Sequence, residues 1–276
     1  MGGTQISGLH RIGADVAGRA NTGLETMGQL IRLAGEATRA AAVDIARGRF
    51  SWIEFLEQTW FMARVALLPT VLVSIPFGVI VAVQIGGISA QIGATSFQGA
   101  VNGVGVLRQG APLVTSLMIA GVVGSAITAD LGARQVREEI DALKVMGLSP
   151  VRRMVAPRLV AALAVSIVLT GVVATTSILT SFALVVGAGK VSAGTYLSGF
   201  ASFAQVADLA LALFKALVFG FIAIIVAAHK GLTARGGPKG VADGVNQSVV
   251  LSVILLAVVN VGITQAYVML FPQRIA

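Results

Sequence analysis

Apolar residues fall in five long runs separated by short polar stretches, and each run is long enough to cross a bilayer as a helix. The first begins after Arg64 and continues uncharged into the 90s. Pro69 and Pro76 lie inside it, where kinking is expected. Residues 93–105 (GATSFQGAVNGVG) read as a glycine-rich outer turn. Residues 110–129 form a second uncharged stretch of 20, enough for about 30 Å of hydrocarbon. Its small residues Ala120, Gly121, Gly124 and Ser125 permit close helix packing. The third run, 159–189, holds 31 uncharged residues, which predicts tilt or an extension beyond the membrane. The fourth covers 208–228 and the fifth 247–271. Between them, 190–207 reads as a polar outer segment with Tyr196, and 230–246 as a glycine-rich inner loop.

Ahead of the spans, Leu24, Met27, Ala34, Ala41 and Ile45 keep helical spacing, while Arg32, Glu36, Arg39 and Asp44 fill the remainder. That pattern predicts an amphipathic helix lying along the membrane interface, followed by Trp52 and Trp60 as interfacial anchors. The fold expected is an all-α integral membrane protein. An N-terminal interfacial helical region spans residues 1–63, and one five-span domain spans 64–276. Residues 1–20 hold no apolar core of signal-peptide length, so no cleaved export signal is expected.

One polar interruption stands apart. Between Arg134 and Lys144 six of eleven residues are charged, too many for hydrocarbon, yet the stretch keeps helical order. Val136, Ile140, Leu143 and Gly147 recur on one face, and Arg134–Glu138 and Arg137–Asp141 are i,i+4 pairs of opposite charge. Asp130 can cap the start, and Gly147 with Pro150 gives a stop. The expectation is one amphipathic helix over 132–147, about 24 Å long at ~1.5 Å per residue, tethered by a span at each end. A connector could be much shorter, so this helix reads as a docking element for a soluble partner.

Composition supports the membrane reading, with 56% hydrophobic and only 12% charged residues. The net charge of +8 is topological rather than a nucleic-acid signal. Of 20 Lys and Arg, seven lie in 1–64, six in 130–158 and three in 230–245, all on one side by alternation. Arg108, Lys190 and Arg274 fall on the other side, and Lys215 lies within a span. The positive-inside rule then places the N-terminus and the docking helix in the cytoplasm and the C-terminus outside, in a plasma (inner) membrane.

Candidate chemistry is sparse. Without cysteine, and with only His10 and His229, no metal site or catalytic triad is expected, and no catalytic residue is assigned. The loop GLTARGGPKG places Gly237 after Gly236 where a P-loop needs Lys, so nucleotide should bind elsewhere. Lys215 is the one intramembrane cation, seven residues after Asp208 and on nearly the same face, a functional candidate because buried charge is costly. Gln109, Asn260, Thr264 and Gln265 are neutral polar groups in or beside spans.

The stretch LRQGAPLVTSLMIAGVVGSAITADLGARQVREEIDALKVMGLSPVRRMVAPR resembles the signature region of MlaE-type permeases, and KALVFGFIAIIVAAHKGLTARGGPKGVADGVNQSVV resembles the same family. Together they cover about a third of the chain. These permeases are membrane subunits of ABC transporters that move lipids together with MCE-domain proteins, and the YrbE-type permeases of Mce lipid importers are most similar. The resemblance implies a permease dimer, a pair of cytoplasmic ATPases carrying ATP and Mg, and MCE proteins on the outer side. It assigns Glu138, Glu139, Asp141, Leu143, Met146 and Gly147 to the helix that docks on the ATPase, where the charge and spacing of Arg134, Arg137 and Ile140 add them as coupling candidates. Lys215 matches a lysine in the fourth span of relatives; Gln109, Lys215 and Asn260 are the candidates for a substrate path. The sequence departs from the family at three places. Gln109 stands where relatives commonly carry an acid, Val122 where they carry Arg, and Asn260 near another acid. Those losses suit a heterodimer with a second, paralogous MlaE/YrbE-type permease. A secondary transporter would need paired ionisable groups at mid-membrane, and only Lys215 is present. The rival is a non-transporting scaffold half of a heterodimer that anchors the outer proteins.

Overall fold

The computed structural model describes residues 3–189 and 191–270, with side-chain surroundings from residue 23 onward. Lys190, Arg274 and Phe271 lie outside the described residues. Among those described there are helices and no strands, and five helices are long and apolar enough to span a membrane. The N-terminal helix is Gly3–Ala46; the spans are Trp52–Gln91, Thr95–Val136, Val151–Gly187, Val206–Leu232 and Gly237–Leu270.

The first and third spans form the longest seam, which follows from small residues spaced by four. Ala66, Thr70, Ser74, Gly78 and Ala82 are all buried. Ser177 Oγ donates to the Ser74 carbonyl at 3.1 Å, and Ser181 Oγ donates to the Gly78 carbonyl at 2.9 Å. A Cβ on Gly78 would sit 2.6 Å from the Ser177 carbonyl oxygen, so only glycine permits this approach. The second, fourth and fifth spans meet at Thr128, whose hydroxyl lies 3.1 Å from the Ala227 carbonyl and 3.0 Å from Ser248 Oγ. Around it Ile127, Leu131, Phe219, Ala223 and Ile224 form the main apolar core. The fifth span is the most peripheral: 17% of its apolar window is buried against 61% for the second, leaving Val250, Ile254, Val258 and Val261 exposed.

Several expected loops are helix. The glycine-rich segment over 93–105 turns only briefly, and Gln98–Gly105 is helical and continuous with the second span. Gly93, at φ +68°, makes the turn, whereas Gly99 and Gly103 serve contact. The polar outer segment is the helix Ala193–Phe203, which packs so closely that a Cβ on Gly99 would meet the Tyr196 carbonyl oxygen at 2.1 Å, and one on Gly103 would meet the Phe200 ring at 2.4 Å. Tyr196 is buried there. The inner loop over 230–246 shrinks to a few residues, because the fifth span starts at Gly237, itself at φ +73°.

The docking helix also differs from expectation. The second span runs on to Val136, the chain breaks at Arg137 and Glu138, and a separate seven-residue helix follows at Glu139–Val145. Asp130 therefore sits inside a helix and caps nothing. The Arg134–Glu138 and Arg137–Asp141 pairs do not form, since the break removes the i,i+4 relation. Arg134 instead bonds Asp130 at 3.2 Å, and Arg137 bonds Glu139 at 2.8 Å.

Candidate functional site

Two polar regions stand at opposite ends of the second span. At the membrane face shared with the N-terminal helix lies the short helix. Glu138 opens it at φ +61°, the one non-glycine residue with positive φ among those described. Its carbonyl accepts the Ala142 amide at 2.9 Å, so the left-handed residue starts the new helix. The stop is as expected: Leu148 N–H returns to the Leu143 carbonyl and Gly147 N–H to the Lys144 carbonyl, with Gly147 at φ +76°.

The apolar residues of this element divide. Ile140 is 1% exposed and belongs to the main core, and Leu143 packs against it. These two hold the helix to the bundle. Val145, Met146 and Leu148 point outward, at 88%, 64% and 49% exposure. Charge ties the helix back as well. Glu139 receives Arg137 at 2.8 Å and lies 3.8 Å from Arg134, while Lys144 bonds Asp141 at 2.8 Å and Gln135 Nε2 donates to the same carboxylate at 3.3 Å. The Lys144 hydrogen bond, above all, holds the Asp141 carboxyl below its ordinary range.

Sequence reasoning missed two ties beneath this helix. Arg158, with its side chain 3% exposed, donates to Asp130 Oδ2 at 2.6 Å, to Gln58 Oε1 at 3.2 Å and to the Met154 carbonyl at 3.2 Å. It joins the first, second and third spans. Arg152 grips Asp44 with two nitrogens, one at 2.8 Å, and so fixes the N-terminal helix to the start of the third span. The available signal was the regular placement of arginines at span ends, which topology alone had absorbed.

The second region lies toward the other membrane face. Lys215 is fully buried, and its ammonium donates to the Arg108 carbonyl at 3.0 Å, Gln109 Oε1 at 2.8 Å and Thr264 Oγ1 at 2.9 Å. The carbonyl is available because the residue four places on is Pro112, which has no N–H to return. The helix there runs as a π turn, Val106–Gly110. Thr264 donates onward to the Asn260 carbonyl at 2.7 Å, so Lys215 meets Gln109 directly and Asn260 only through its backbone, and Asn260 Oδ1 is buried and has no hydrogen-bond partner among the described residues. Beside them Arg108 bonds the buried Asp208 at 2.5 Å and lies 5.8 Å over the Tyr267 ring. Both charges flank the uncharged stretches of their spans, a signal present in the sequence. Lys215 does not pair with Asp208, although the two share a face.

Among the described residues there is no cluster of three metal-ligating side chains, and the short helix offers a surface while the lysine cluster offers a brace joining three spans.

A profile of the family described as Permease MlaE matches residues 55–266 of the chain, from the first span into the fifth. Among curated proteins, the chain is 30% identical to a probable ABC transporter permease protein of Synechocystis over 79% of this chain and 83% of that one. It is 27% identical to a probable ABC transporter permease protein of Rickettsia bellii, over 83% and 88% respectively. A chloroplastic protein of Arabidopsis thaliana named TRIGALACTOSYLDIACYLGLYCEROL 1 is 28% identical over 76% of this chain and 60% of its own length. The five apolar spans, the short membrane-face helix and these matches together place the chain in the MlaE permease family, as a multi-pass permease subunit of the ABC transporter type.

Proposed function

We propose that this permease subunit couples a separate cytoplasmic ATPase, which holds ATP and Mg, to movement of lipid delivered through MCE proteins on the outer side. The observation that carries the reading is the short helix Glu139–Val145, anchored inward by Ile140 and presenting Val145 and Met146 outward. Such an element is a groove-filling knob rather than a connector. Its push passes directly into the second span, which runs as one helix from Val136 back to the Lys215 cluster. The π turns at Val106–Gly110 and Ile119–Val123 are places where that helix can rearrange. The excess of arginine near the short helix supports a cytoplasmic N-terminus, an outer C-terminus and an inner-membrane location.

The neutral Gln109 and Asn260 support the YrbE-like subtype and a heterodimer, in which a second MlaE/YrbE-type permease supplies the acids absent here. On this reading Gln109, Lys215 and Asn260 form the polar part of the lipid path, and the Leu-, Val- and Ala-rich spans form its apolar wall. Co-reconstitution in liposomes with the candidate ATPase and second permease tests the proposal. ATP-dependent lipid movement that needs all three supports it, and movement unaffected by omitting the ATPase sinks it. The scaffold reading draws on one observation, that Lys215 is already bonded three times within its own subunit. Lipid movement lost on replacing only the partner's acids, and untouched by Gln109→Ala here, would favour the scaffold.

A further inference from the structure

A cleft of about 270 Å³ opens where the N-terminal helix ends and the first and third spans begin, with Arg49, Glu54, Ser149, Arg152 and Arg153 in its wall. It shares Asp44, Ser149 and Arg152 with a neighbouring, more open cleft of about 420 Å³ that adds Arg39 and Arg47. Five arginines thus line the two clefts beside three carboxylates, Glu36, Asp44 and Glu54. Each carboxylate already has a donor: Asp44 from Arg152, Glu36 from Arg32 at 2.9 Å, and Glu54 from Gln58 at 3.3 Å. Arg39, Arg47, Arg49 and Arg153 make no salt bridge among the described residues. The balance is an excess of guanidinium groups around a space open to an anion, and guanidinium geometry favours phosphate oxygens.

The neighbouring residues select the source of that anion. Trp52 and Ile53, between the lining residues Ser51 and Glu54 in the chain, are 59% and 74% exposed, and Leu56 is 61% exposed one turn on. Trp52 is held edge-on to Phe50 and Phe55, with ring centres 5.2 and 5.8 Å apart. A tryptophan fixed beside exposed aliphatics and arginines marks the level where headgroups meet acyl chains. We infer that this cleft binds the phosphate of an anionic phospholipid of the surrounding leaflet, with Arg49, Arg153 and the Ser149 hydroxyl on the headgroup and the acyl chains along Ile53 and Leu56. This lipid is a resident ligand at the foot of the first span. The site is independent of the ATPase reading and separate from the Lys215 cluster.

The test uses the full chain in a neutral maltoside detergent, titrated with dioctanoyl phosphatidylglycerol, dioctanoyl phosphatidylcholine and inorganic phosphate. Trp52 and Trp60, the only tryptophans, report binding by fluorescence, and native mass spectrometry counts the lipid retained. The expected result is a preference for phosphatidylglycerol over phosphatidylcholine of about tenfold, the order expected from basic contacts at a membrane surface. Arg49→Gln with Arg153→Gln should abolish that preference. Both side chains are exposed, so the double variant keeps its fold, which circular dichroism checks. Equal binding of the two lipids, or a preference that survives the double variant, overturns the assignment. Inorganic phosphate binding as tightly as phosphatidylglycerol overturns the lipid source and leaves a free-phosphate site.

Discussion

Lys215 shows how a buried cation is tolerated without a carboxylate. Its three donors meet three oxygens, one of them a backbone carbonyl that Pro112 leaves unpaired. Replacing the side chain by an apolar one of similar length strands the Arg108 carbonyl and Gln109 in a dry interior, which costs about 1–3 kcal/mol per unsatisfied group. Lys215→Met should therefore lower the thermal midpoint of the detergent-solubilised chain, and an unchanged midpoint would show that the brace contributes nothing. Glu138 poses the opposite case. A left-handed conformation costs a non-glycine residue about 1 kcal/mol, so Glu138→Gly should raise the midpoint and Glu138→Val should lower it. The sequence carried no cue to this break. Glutamate is an ordinary helix former, and the charge spacing of Arg134, Arg137, Glu138 and Asp141 suits an unbroken helix. What accompanies the break is tertiary: with the chain turned at 138, Ile140 packs into the core.

At the scale of elements, contacts between small residues set the arrangement. Gly78→Val would drive a side chain into the Ser177 carbonyl and open the seam between first and third spans. Because the chain has no cysteine, a pair introduced at Ser74 and Ser177 reports that seam through a short thiol cross-linker, and its yield should fall sharply in the Gly78→Val background. The N-terminal helix has a different attachment. Hydrogen bonding from Arg152 holds the Asp44 carboxyl below the ordinary carboxylate range. A depressed pKa stabilises the attached state above the carboxyl's unfolded value, and that contribution is lost as pH falls through the lower folded value. A spin label on a cysteine placed at Ala40 should thus stay immobile near neutrality and gain mobility in strong acid, whereas in Asp44→Asn it should be mobile already at pH 7, with a flatter pH profile. The spans themselves were legible because twenty uncharged residues have few alternatives. The helix Ala193–Phe203 was not, since eleven residues cannot span and its partners Gly99 and Gly103 read as turn formers. A glycine that admits a neighbouring helix looks the same in sequence as one that bends a loop.

Across the whole molecule, one continuous helix connects the two polar regions, so the direction each side chain faces on the short helix determines what a substitution tests. Ile140, Leu143 and Met146 stood together as expected coupling residues, but their burial separates them into an inner anchor and an outer tip. Leu143→Asp would place a charge against the core that Ile140 and Leu143 share, and it should reduce the yield of folded protein as well as any coupling. Met146→Asp combined with Val145→Asp changes only exposed surface. It should leave expression, membrane insertion and thermal midpoint close to the parent values while abolishing co-purification of the ATPase and ATP-dependent transport. The two variants therefore form a matched pair. Loss of folding in the first and loss of association alone in the second is the outcome expected of a knob seated in a partner's groove, and full association in the second would remove the short helix from the coupling path.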